Sequence, residues 1–338
     1  MKIIVDAMGG DNAPDEIVKG ALAAVRENEL EVVLAGRGED ILRVIEKMGL
    51  RELPRGVEIV NASEVIGIDD DPTNAIRQKK DSSLTVALNL LRDGRGDALV
   101  SAGSTGALLS GATLLVKRVN GLRRAALAPV IPSRTGSFIL IDCGANVECT
   151  AEYLLQFAFM GSYYAEDVLK LKSPRVGLLN NGAERTKGTP LQLEVYELLE
   201  KAGREGHLNF VGNVEANEAM RGGCDVLVCD GFTGNILLKA IEGTASLIMS
   251  ELKALYTKNF VTKLSAVLMR GHLRGLGERL NPDNIGGTML IGIMKPVIKA
   301  HGSSNAVAIT NAIRQAARAV DADTASRLQM NIERMKID

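Results

Sequence analysis

Six glycine-rich segments hold most of the side chains that could take part in chemistry. Each follows a short apolar run and mixes glycine with hydroxyl, amide, basic or acidic residues. The segments are residues 6–12, 101–107, 142–146, 180–188, 230–235 and 300–305. Helix N-termini present backbone N–H groups to a ligand, and glycine lets the backbone approach an anion closely. The pattern therefore predicts a phosphate site where these segments meet.

The segment 101–107 fits a phosphate best, because Ser104, Thr105 and Gly106 precede an apolar helical pattern. It is not a Walker A loop, since no Gly-Lys-Ser/Thr follows, and it lacks the G-x-G-x-x-G spacing of a dinucleotide site. Any single segment of this kind can equally be a tight turn between a strand and a helix. The recurrence of six such segments favours the binding interpretation.

Two residues stand out as candidates for direct catalysis. Lys187 lies between Gly182 and Gly188 in a loop that follows a predicted buried strand. Asn235 follows Gly231 and lies near the first turn of a long predicted helix. A solvated loop cation and a helix cap are the alternative interpretations of the two residues. Their position at the predicted ligand edge favours a functional role for both.

Residues typical of nucleophilic or metal chemistry are scarce. The three histidines are far apart, and no Gly-x-Ser-x-Gly motif is present. They are His207, His272 and His301. The four cysteines lack C-x-x-C spacing, and Cys143 and Cys229 are predicted to be small buried thiols.

Neither His301 nor the acidic run 69–71 leads us to predict a metal or cofactor site. His301 lies on a glycine-rich segment, where a ligand contact and a structural role both stay open. The acidic run 69–71, closed by Pro72, is predicted to be a solvated turn rather than a cation site. The sequence therefore predicts neither a metal nor an organic cofactor.

Composition narrows the class of protein. The chain has 338 residues with 40 Lys and Arg against 41 Asp and Glu, so its net charge is −1. This balance argues against a nucleic-acid partner. Apolar residues make up 46% of the chain, which is sufficient for a buried core. No signal peptide or membrane-length apolar run is apparent, and a cytoplasmic protein with reduced thiols is predicted.

The apolar pattern indicates the scaffold that must position these segments. Strand patterns alternate with amphipathic helical patterns, which is typical of a mostly parallel, mixed sheet covered by helices on both faces. Strands are predicted at 2–7, 31–35, 57–61, 97–102, 137–143, 175–180, 207–211, 225–230 and 297–300, and helices at 14–27, 39–48, 105–116, 151–169 and 305–320. The pattern further predicts a hairpin arm at 126–131. One α/β domain is predicted over 1–338, with a helical excursion near 251–281.

Several segments resemble loops of the bacterial phosphate acyltransferases of the PlsX family, which act at the entry to phospholipid synthesis. They are residues 1–14, 76–83, 101–108, 142–147, 230–235 and 300–305. The resemblance runs from residue 1 to about residue 320. The chain departs from the family pattern at Ser104, usually Asn, at Arg185, often Glu, and at Glu148, often Asp.

The resemblance implies an activity and a fold. The reaction is transfer of a fatty acyl group from acyl carrier protein to inorganic phosphate, without a metal or nicotinamide cofactor. The implied fold is a homodimeric three-layer α/β/α sandwich related to isopropylmalate and isocitrate dehydrogenases and to phosphotransacetylase. The product would pass to a membrane glycerol-3-phosphate acyltransferase.

The resemblance also assigns the site. Lys187 and Asn235 match the family's catalytic lysine and asparagine. The predicted phosphate- and substrate-binding residues are Asp6, Gly9, Gly10, Asp11, Ser104, Thr105, Gly106, Asn146, Thr233, Gly234, His301 and Ser303. The rival interpretations are a phosphotransacetylase-like enzyme that uses acyl-CoA and a non-catalytic module that binds an anion or a lipid.

The predicted excursion is basic on one side and apolar on another. Between residues 253 and 279 the excursion has six basic residues and one acidic residue, Glu278. The basic residues are Lys253, Lys258, Lys263, Arg270, Arg274 and Arg279. Its apolar residues recur at helical spacing and include Phe260, Leu264, Val267 and Leu268. A dimer-packing helix and a peripheral membrane contact are both compatible with this pattern. The acidic carrier protein could dock at either of two basic patches. One consists of residues 117–118 and 123–124, and the other is the excursion.

Overall fold

Strands and helices alternate along the chain in the computed structural model, which describes residues 1–28, 30–271, 275, 277 and 286–336. The strands are β1 (Lys2–Asp6), β2 (Glu31–Gly36), β3 (Val57–Asn61), β4 (Ala98–Ser101), β5 (Ala126–Ala128), β6 (Val130–Ser133), β7 (Gly136–Ile141), β8 (Arg175–Leu179), β9 (Asn209–Val214), β10 (Val226–Val228), β11 (Thr288–Ile291) and β12 (Val297–Lys299). The helices are α1 (Asp15–Asn28), α2 (Gly38–Lys47), α3 (Pro72–Gln78), α4 (Ser83–Arg92), α5 (Thr105–Gly111), α6 (Ala151–Asp167), α7 (Pro190–Arg204), α8 (Ala216–Arg221), α9 (Gly231–Thr257), α10 (Phe260–Leu268), α11 (Ala306–Ala322) and α12 (Thr324–Met330).

The strands form two sheets, which differs from the single mixed sheet expected from the sequence. A seven-stranded sheet has the order β3-β2-β1-β4-β12-β11-β5, and a five-stranded sheet has the order β6-β7-β10-β8-β9. The chain passes from the first sheet to the second at Pro129, which lacks the N–H needed to extend the β5 ladder. The predicted arm at 126–131 is therefore divided. β5 pairs with β11, and only β6 forms the antiparallel hairpin with β7.

The α/β class itself is confirmed. Strands β3, β2, β1, β4 and β12 are mutually parallel, and so are β7, β10, β8 and β9. Ile3, Ile4 and Val5 are fully buried, as predicted for a strand covered on both faces. Ile3 and Val5 cluster with residues of α1, whereas Ile4 clusters with residues of α4. Helices therefore cover both faces of the first sheet.

The predicted helical excursion begins as the end of α9 and continues as α10. Only Gly231 and Gly234 of α9 are buried, so most of this 27-residue helix is not covered by the rest of the chain. Arg274, Glu278, Arg279 and His272, which belong to the sequence prediction, lie outside the described residues. None of the helices within the described ranges combines the length and the apolar character needed to cross a bilayer.

Candidate functional site

The carboxyl ends of β1, β4 and β12 lie side by side, because β4 pairs in parallel with both neighbours. Three of the predicted glycine-rich loops follow these strands. We call residues 6–11, 101–106 and 299–305 the β4 rim. Ligands of open α/β sheets bind at this end of the strands, so the rim is a candidate anion site.

Asp6 organises the β4 rim from beneath. Its side chain is 2% exposed, and the Ser101 hydroxyl donates to Asp6 Oδ2 at 2.7 Å. The Gly103 amide in turn donates to Ser101 Oγ at 3.1 Å. Burial raises the pKa of Asp6, and hydrogen bonds from Ser83 and Ser101 oppose the rise. The carboxylate is therefore engaged by hydrogen bonds within the protein and positions the loop after β4, and its contact with a ligand stays a prediction.

The loop after β1 crosses the loop after β12. The Asp11 amide donates to the Gly302 carbonyl at 2.8 Å. Gly10 has a φ of +102°, and a Cβ there would lie 2.9 Å from the same carbonyl oxygen. Only glycine fits this crossing. Gly9 is buried, and a Cβ there would lie 2.7 Å from the Gly103 amide nitrogen.

Helix α5 begins at the same rim. Ser104 is its N-cap, and Ser104 Oγ accepts from the Ala107 amide at 3.4 Å. The first N–H groups of a helix have no partner within it, so Thr105 and Gly106 present theirs at the rim. Thr105 is exposed, whereas Gly106 packs closely against Pro72. The predicted phosphate-binding residues 104–106 thus lie at the start of this helix.

His301 and Ser303 interact with each other. His301 Nδ1 lies 2.9 Å from Ser303 Oγ, and both residues are exposed at the rim. The contact orients the imidazole within its own loop. Both residues lie beside Asp11, because the Gly302 carbonyl between them accepts from the Asp11 amide.

Lys299 is a rim residue that the sequence prediction did not include. Its ammonium donates to the Ala102 carbonyl at 3.3 Å and to the Ala300 carbonyl. Burial lowers the pKa of Lys299 to about 8, although Asp6 and Asp11 oppose the shift. The signal available in the sequence was a lysine that ends the apolar run Val297–Ile298.

A second edge is formed by β7, β10 and β8, since β10 pairs in parallel with both neighbours. Residues 142–146, 180–188 and 230–235 follow these strands, and we call them the β10 rim. Lys187 lies in the loop after β8 and Asn235 lies in the first turns of α9 after β10, so the two predicted catalytic residues follow adjacent strands.

Asp142 fixes the first loop of the β10 rim. Its Oδ1 accepts from the amides of Leu127, Cys143 and Ala145 at 2.9, 2.6 and 3.2 Å. Its Oδ2 accepts from the amide and the side chain of Asn146 at 2.6 and 2.9 Å. Burial raises the pKa of Asp142, and these hydrogen bonds oppose the rise.

The amides of this loop are therefore directed at an internal carboxylate and not at a ligand. The Asn146 side chain also donates to the Ala125 carbonyl at 2.8 Å. The six segments are predicted to meet at one site, whereas three of them follow strands of the first sheet and three follow strands of the second. Asn146 supports the loop through its contacts with the rest of the protein.

Helix α9 starts against Asp142. Asp230 is its N-cap and accepts from the Thr233 amide and hydroxyl at 2.8 and 2.7 Å. A Cβ on Gly234 would lie 2.0 Å from the Asp142 carbonyl oxygen. Gly234 is thus required for the close approach of α9 to Asp142.

Asn235 does not cap the helix, because Asp230 does. Its side chain is exposed and lies next to Gly144, where an added Cβ would be 3.6 Å from Asn235 Cγ. Asn235 therefore does not have the helix-cap role that was the alternative interpretation of this residue. Its amide is available for a hydrogen bond at the β10 rim.

Lys187 is held by its backbone. Its carbonyl accepts from the Asn180 side chain at 3.0 Å, and its amide donates to the Glu184 carbonyl at 3.1 Å. The aliphatic part of the side chain passes over buried Gly182. Within the described ranges the ammonium makes no hydrogen bond or ion pair. Lys187 is therefore a positioned cation whose charge is not neutralised.

A hydrogen bond joins the two sheets at the β10 rim. The amide of Leu127, in the first sheet, donates to Asp142 at the end of β7 in the second sheet. Lys239 of α9 is close enough to lower the pKa of Lys299. Helix α9 therefore extends from the β10 rim towards Lys299 of the β4 rim.

The cysteines and the acidic run agree with the sequence prediction. Cys143 and Cys229 are buried, and burial raises the pKa of both thiols. Asp70 pairs with Lys79 at 2.5 Å, and Asp71 caps α3. No cluster of three or more metal-ligating side chains occurs in the part of the chain that the structure describes.

Comparison with known proteins identifies the family. The model of the fatty acid synthesis protein family matches residues 1–327. A phosphate acyltransferase of Thermoanaerobacter pseudethanolicus is 46% identical over 336 residues, covering 99% of this chain and 98% of its own. One of Exiguobacterium sp. is 47% identical over 333 residues, covering 97% and 98%. The chain belongs to the PlsX phosphate acyltransferase family.

Solved structures show the same fold as this PlsX family member. A phosphotransacetylase of Streptococcus pyogenes superposes with a TM-score of 0.65 at 18% identity, covering 95% of this chain and 94% of its own. A 4-hydroxythreonine-4-phosphate dehydrogenase of Klebsiella pneumoniae gives 0.54 at 13% identity, covering 95% and 99%. The predicted relation to phosphotransacetylase is confirmed at the level of fold.

Two departures from the PlsX pattern have local explanations. Ser104 caps α5, which an asparagine at this position can also do. Arg185 pairs with Glu200 at 3.1 Å, and its guanidinium lies 5.4 Å from the Tyr196 ring centre. Arg185 is therefore anchored to α7, while Lys187, two residues later, keeps its charge free.

Proposed function

We propose that this protein transfers a long-chain fatty acyl group from acyl carrier protein to inorganic phosphate. The products are an acyl phosphate for phospholipid synthesis and the free carrier. The observation that carries the proposal is the position of Lys187 and Asn235 after adjacent strands of the β10 rim, in a chain whose β4 rim is formed by a helix start and glycine.

The reaction needs little acid–base help. Phosphate is the nucleophile, and one of its oxygens forms a bond to the thioester carbonyl carbon while the carbon–sulfur bond breaks. The electron pair leaves with the thiolate of the carrier's prosthetic arm. The enzyme supplies positioning and charge stabilisation. Asn235 donates to the carbonyl oxygen as negative charge develops there, and Lys187 stabilises the phosphate or the oxyanion.

The acyl group passes directly to phosphate in this proposal. Burial raises the pKa of the Cys143 and Cys229 thiols, so neither is a ready nucleophile. Detection of an acyl group on any side chain during turnover would contradict direct transfer.

The test is formation of hydroxylamine-sensitive acyl phosphate from long-chain acyl carrier protein and phosphate. Lys201→Ala is a matched control for Lys187→Ala, because Lys201 is an exposed lysine in the last turn of α7, at the end of that helix away from the β10 rim. Product from acyl-CoA at a higher rate than from the acyl carrier would favour the phosphotransacetylase-like alternative. Absence of product from both donors would favour the binding module.

We further propose that α9 packs against a second copy of the chain. Large apolar side chains of this helix are exposed, with Phe232 at 58%, Leu247 at 60% and Leu255 at 57%. A helix with such a surface is normally covered by another element. Sedimentation of the protein as a dimer, and as a monomer after Leu247→Asp, would support this interface. A monomeric parent protein would contradict it.

The adjoining α10 is the proposed membrane contact of a cytoplasmic enzyme. Phe260, Val267 and Leu268 are 81%, 67% and 80% exposed, and Lys263 and Arg270 supply cations for anionic lipids. Such a contact would bring the product to a membrane glycerol-3-phosphate acyltransferase. Flotation with anionic vesicles should fall for the double variant Leu264→Glu and Val267→Glu. Equal flotation of parent and variant would reject the contact.

The acidic carrier requires a basic docking patch. Arg123 pairs with Glu152 at 2.8 Å, and Arg124 lies over the Tyr153 ring at 5.4 Å. Lys258 and Lys263 make no ion pair with the described residues. We therefore favour the excursion for docking. A larger loss of carrier-dependent rate from Lys258→Glu than from Arg124→Glu would support this choice, and the reverse order would overturn it.

A further inference from the structure

The Lys299 ammonium lies at the β4 rim without an anionic partner among the described residues. It ends β12, directly opposite Ser101 of β4 in the parallel register. Its ammonium donates to the carbonyls of Ala102 and Ala300, which belong to two different rim loops. A lysine has three N–H donors. Two are used on these carbonyls, and the third has no acceptor among the described residues.

The surrounding charges do not neutralise this ammonium. Asp6 of β1 and Asp11 of the following loop act on it through space, but neither forms an ion pair with it in the described part of the chain. Asp6 is already engaged by Ser101. Lys239 of α9 acts in the opposite sense and is itself paired with Glu242 at 2.8 Å. A largely buried cation without a direct partner is costly unless an anion completes the site.

We propose that Lys299 holds the β4 and β12 loops together and supplies the fixed positive charge that draws the phosphate dianion to the β4 rim. This inference rests on the proposed function, because phosphate is the substrate in that proposal. Lys299 acts as a positioning residue through its two carbonyl contacts and as the source of charge that determines phosphate affinity. Lys187 and Asn235 then act on the thioester from the neighbouring rim.

A pH profile distinguishes this role from a purely structural one. Burial lowers the pKa of Lys299 to about 8, so raising the pH through that value removes the charge. Inorganic phosphate stays predominantly dianionic over the same range. We expect kcat/KM for phosphate to fall about tenfold per pH unit well above the pKa, since this parameter reports groups of the free enzyme.

Three variants complete the experiment. Lys299→Arg keeps its charge at every accessible pH, so its profile should stay flat through the range in which the parent falls. Lys299→Met should raise KM for phosphate about tenfold or more at neutral pH, with a smaller change in kcat. Lys295→Met is the control, because Lys295 is a half-buried lysine that donates to the Gly96 carbonyl at 3.2 Å before β12 begins. Its profile should match the parent.

Calorimetric titration with inorganic phosphate tests the role of Lys299 separately from the proposed acyl transfer. Phosphate binding that weakens above about pH 8 in the parent but not in Lys299→Arg supports the inference even if no acyl transfer is found. Acyl transfer whose phosphate dependence is the same in parent and Lys299→Arg at every pH overturns the inference and leaves the proposed function standing. Thermal unfolding of each variant shows that the comparison is made on folded protein.

Discussion

Replacing Gly234 by alanine should displace the start of α9 and with it Asn235. A Cβ at this position would lie 2.0 Å from the Asp142 carbonyl oxygen, and real Cβ contacts essentially never fall below 3.0 Å. The helix must therefore move by about 1 Å, since Asp142 is fixed by its five hydrogen bonds. A misplacement of this size costs about a hundredfold in rate when it affects a reacting group.

The assay is acyl phosphate formation under saturating phosphate, with kcat and KM measured separately. Gly243→Ala is the matched control, because Gly243 lies in the same helix and a Cβ there would have no neighbour within 4 Å. The control should keep its activity, since alanine favours a helix interior by about 1 kcal/mol over glycine. Gly234→Ala with a kcat within about twofold of the parent would refute the geometric reasoning.

Three other predictions follow from the contacts of the two rims. Lys187→Ala should lower kcat on the order of a hundredfold with an unchanged circular dichroism spectrum, and near-normal turnover would reject its assignment. Asp142→Asn should lower the free energy of unfolding by about 2 kcal/mol or more, measured by urea denaturation, because the two Asn146 donors at Oδ2 would face an NH2 group instead of an acceptor. The double variant Cys143→Ala and Cys229→Ala should retain acyl transfer at a rate within about tenfold of the parent, because its thiols are packed and not reactive; complete loss in a folded variant would indicate covalent catalysis.

Apolar runs and turn residues were enough to predict the positions of many elements. The run Ile3-Ile4-Val5 gives β1, and the run 226–228 gives β10. The loops at the ends of these strands were found because glycine and hydroxyl residues follow buried strands directly. The burial of Cys143 and Cys229 followed from the same pattern.

Other features depend on contacts between distant residues. The division into two sheets is decided by which strands pair, and the strand patterns themselves carry no such information. Strand β11 was missed, and so were helices α3, α4, α7, α8 and α12. The predicted helix at 105–116 is helical throughout, but it changes from α-helix to a π-helical segment after Gly111.

The roles of two site residues also depend on contacts with distant parts of the chain. Asp142 lies in a predicted ligand loop, but its role depends on backbone amides from residues as distant as Leu127. Lys299 resembles any lysine at the end of a strand until the burial around it is known. Side chains that act by contacting the backbone of another loop leave no spacing pattern in a sequence.

The most direct test of direct transfer is a rapid-quench experiment with stoichiometric enzyme and long-chain acyl carrier protein. Free carrier and acyl phosphate are measured with and without inorganic phosphate. Direct attack predicts that free carrier appears only when phosphate is present and in an amount equal to the acyl phosphate. A burst of free carrier without phosphate, or free carrier without acyl phosphate, would contradict the proposed reaction.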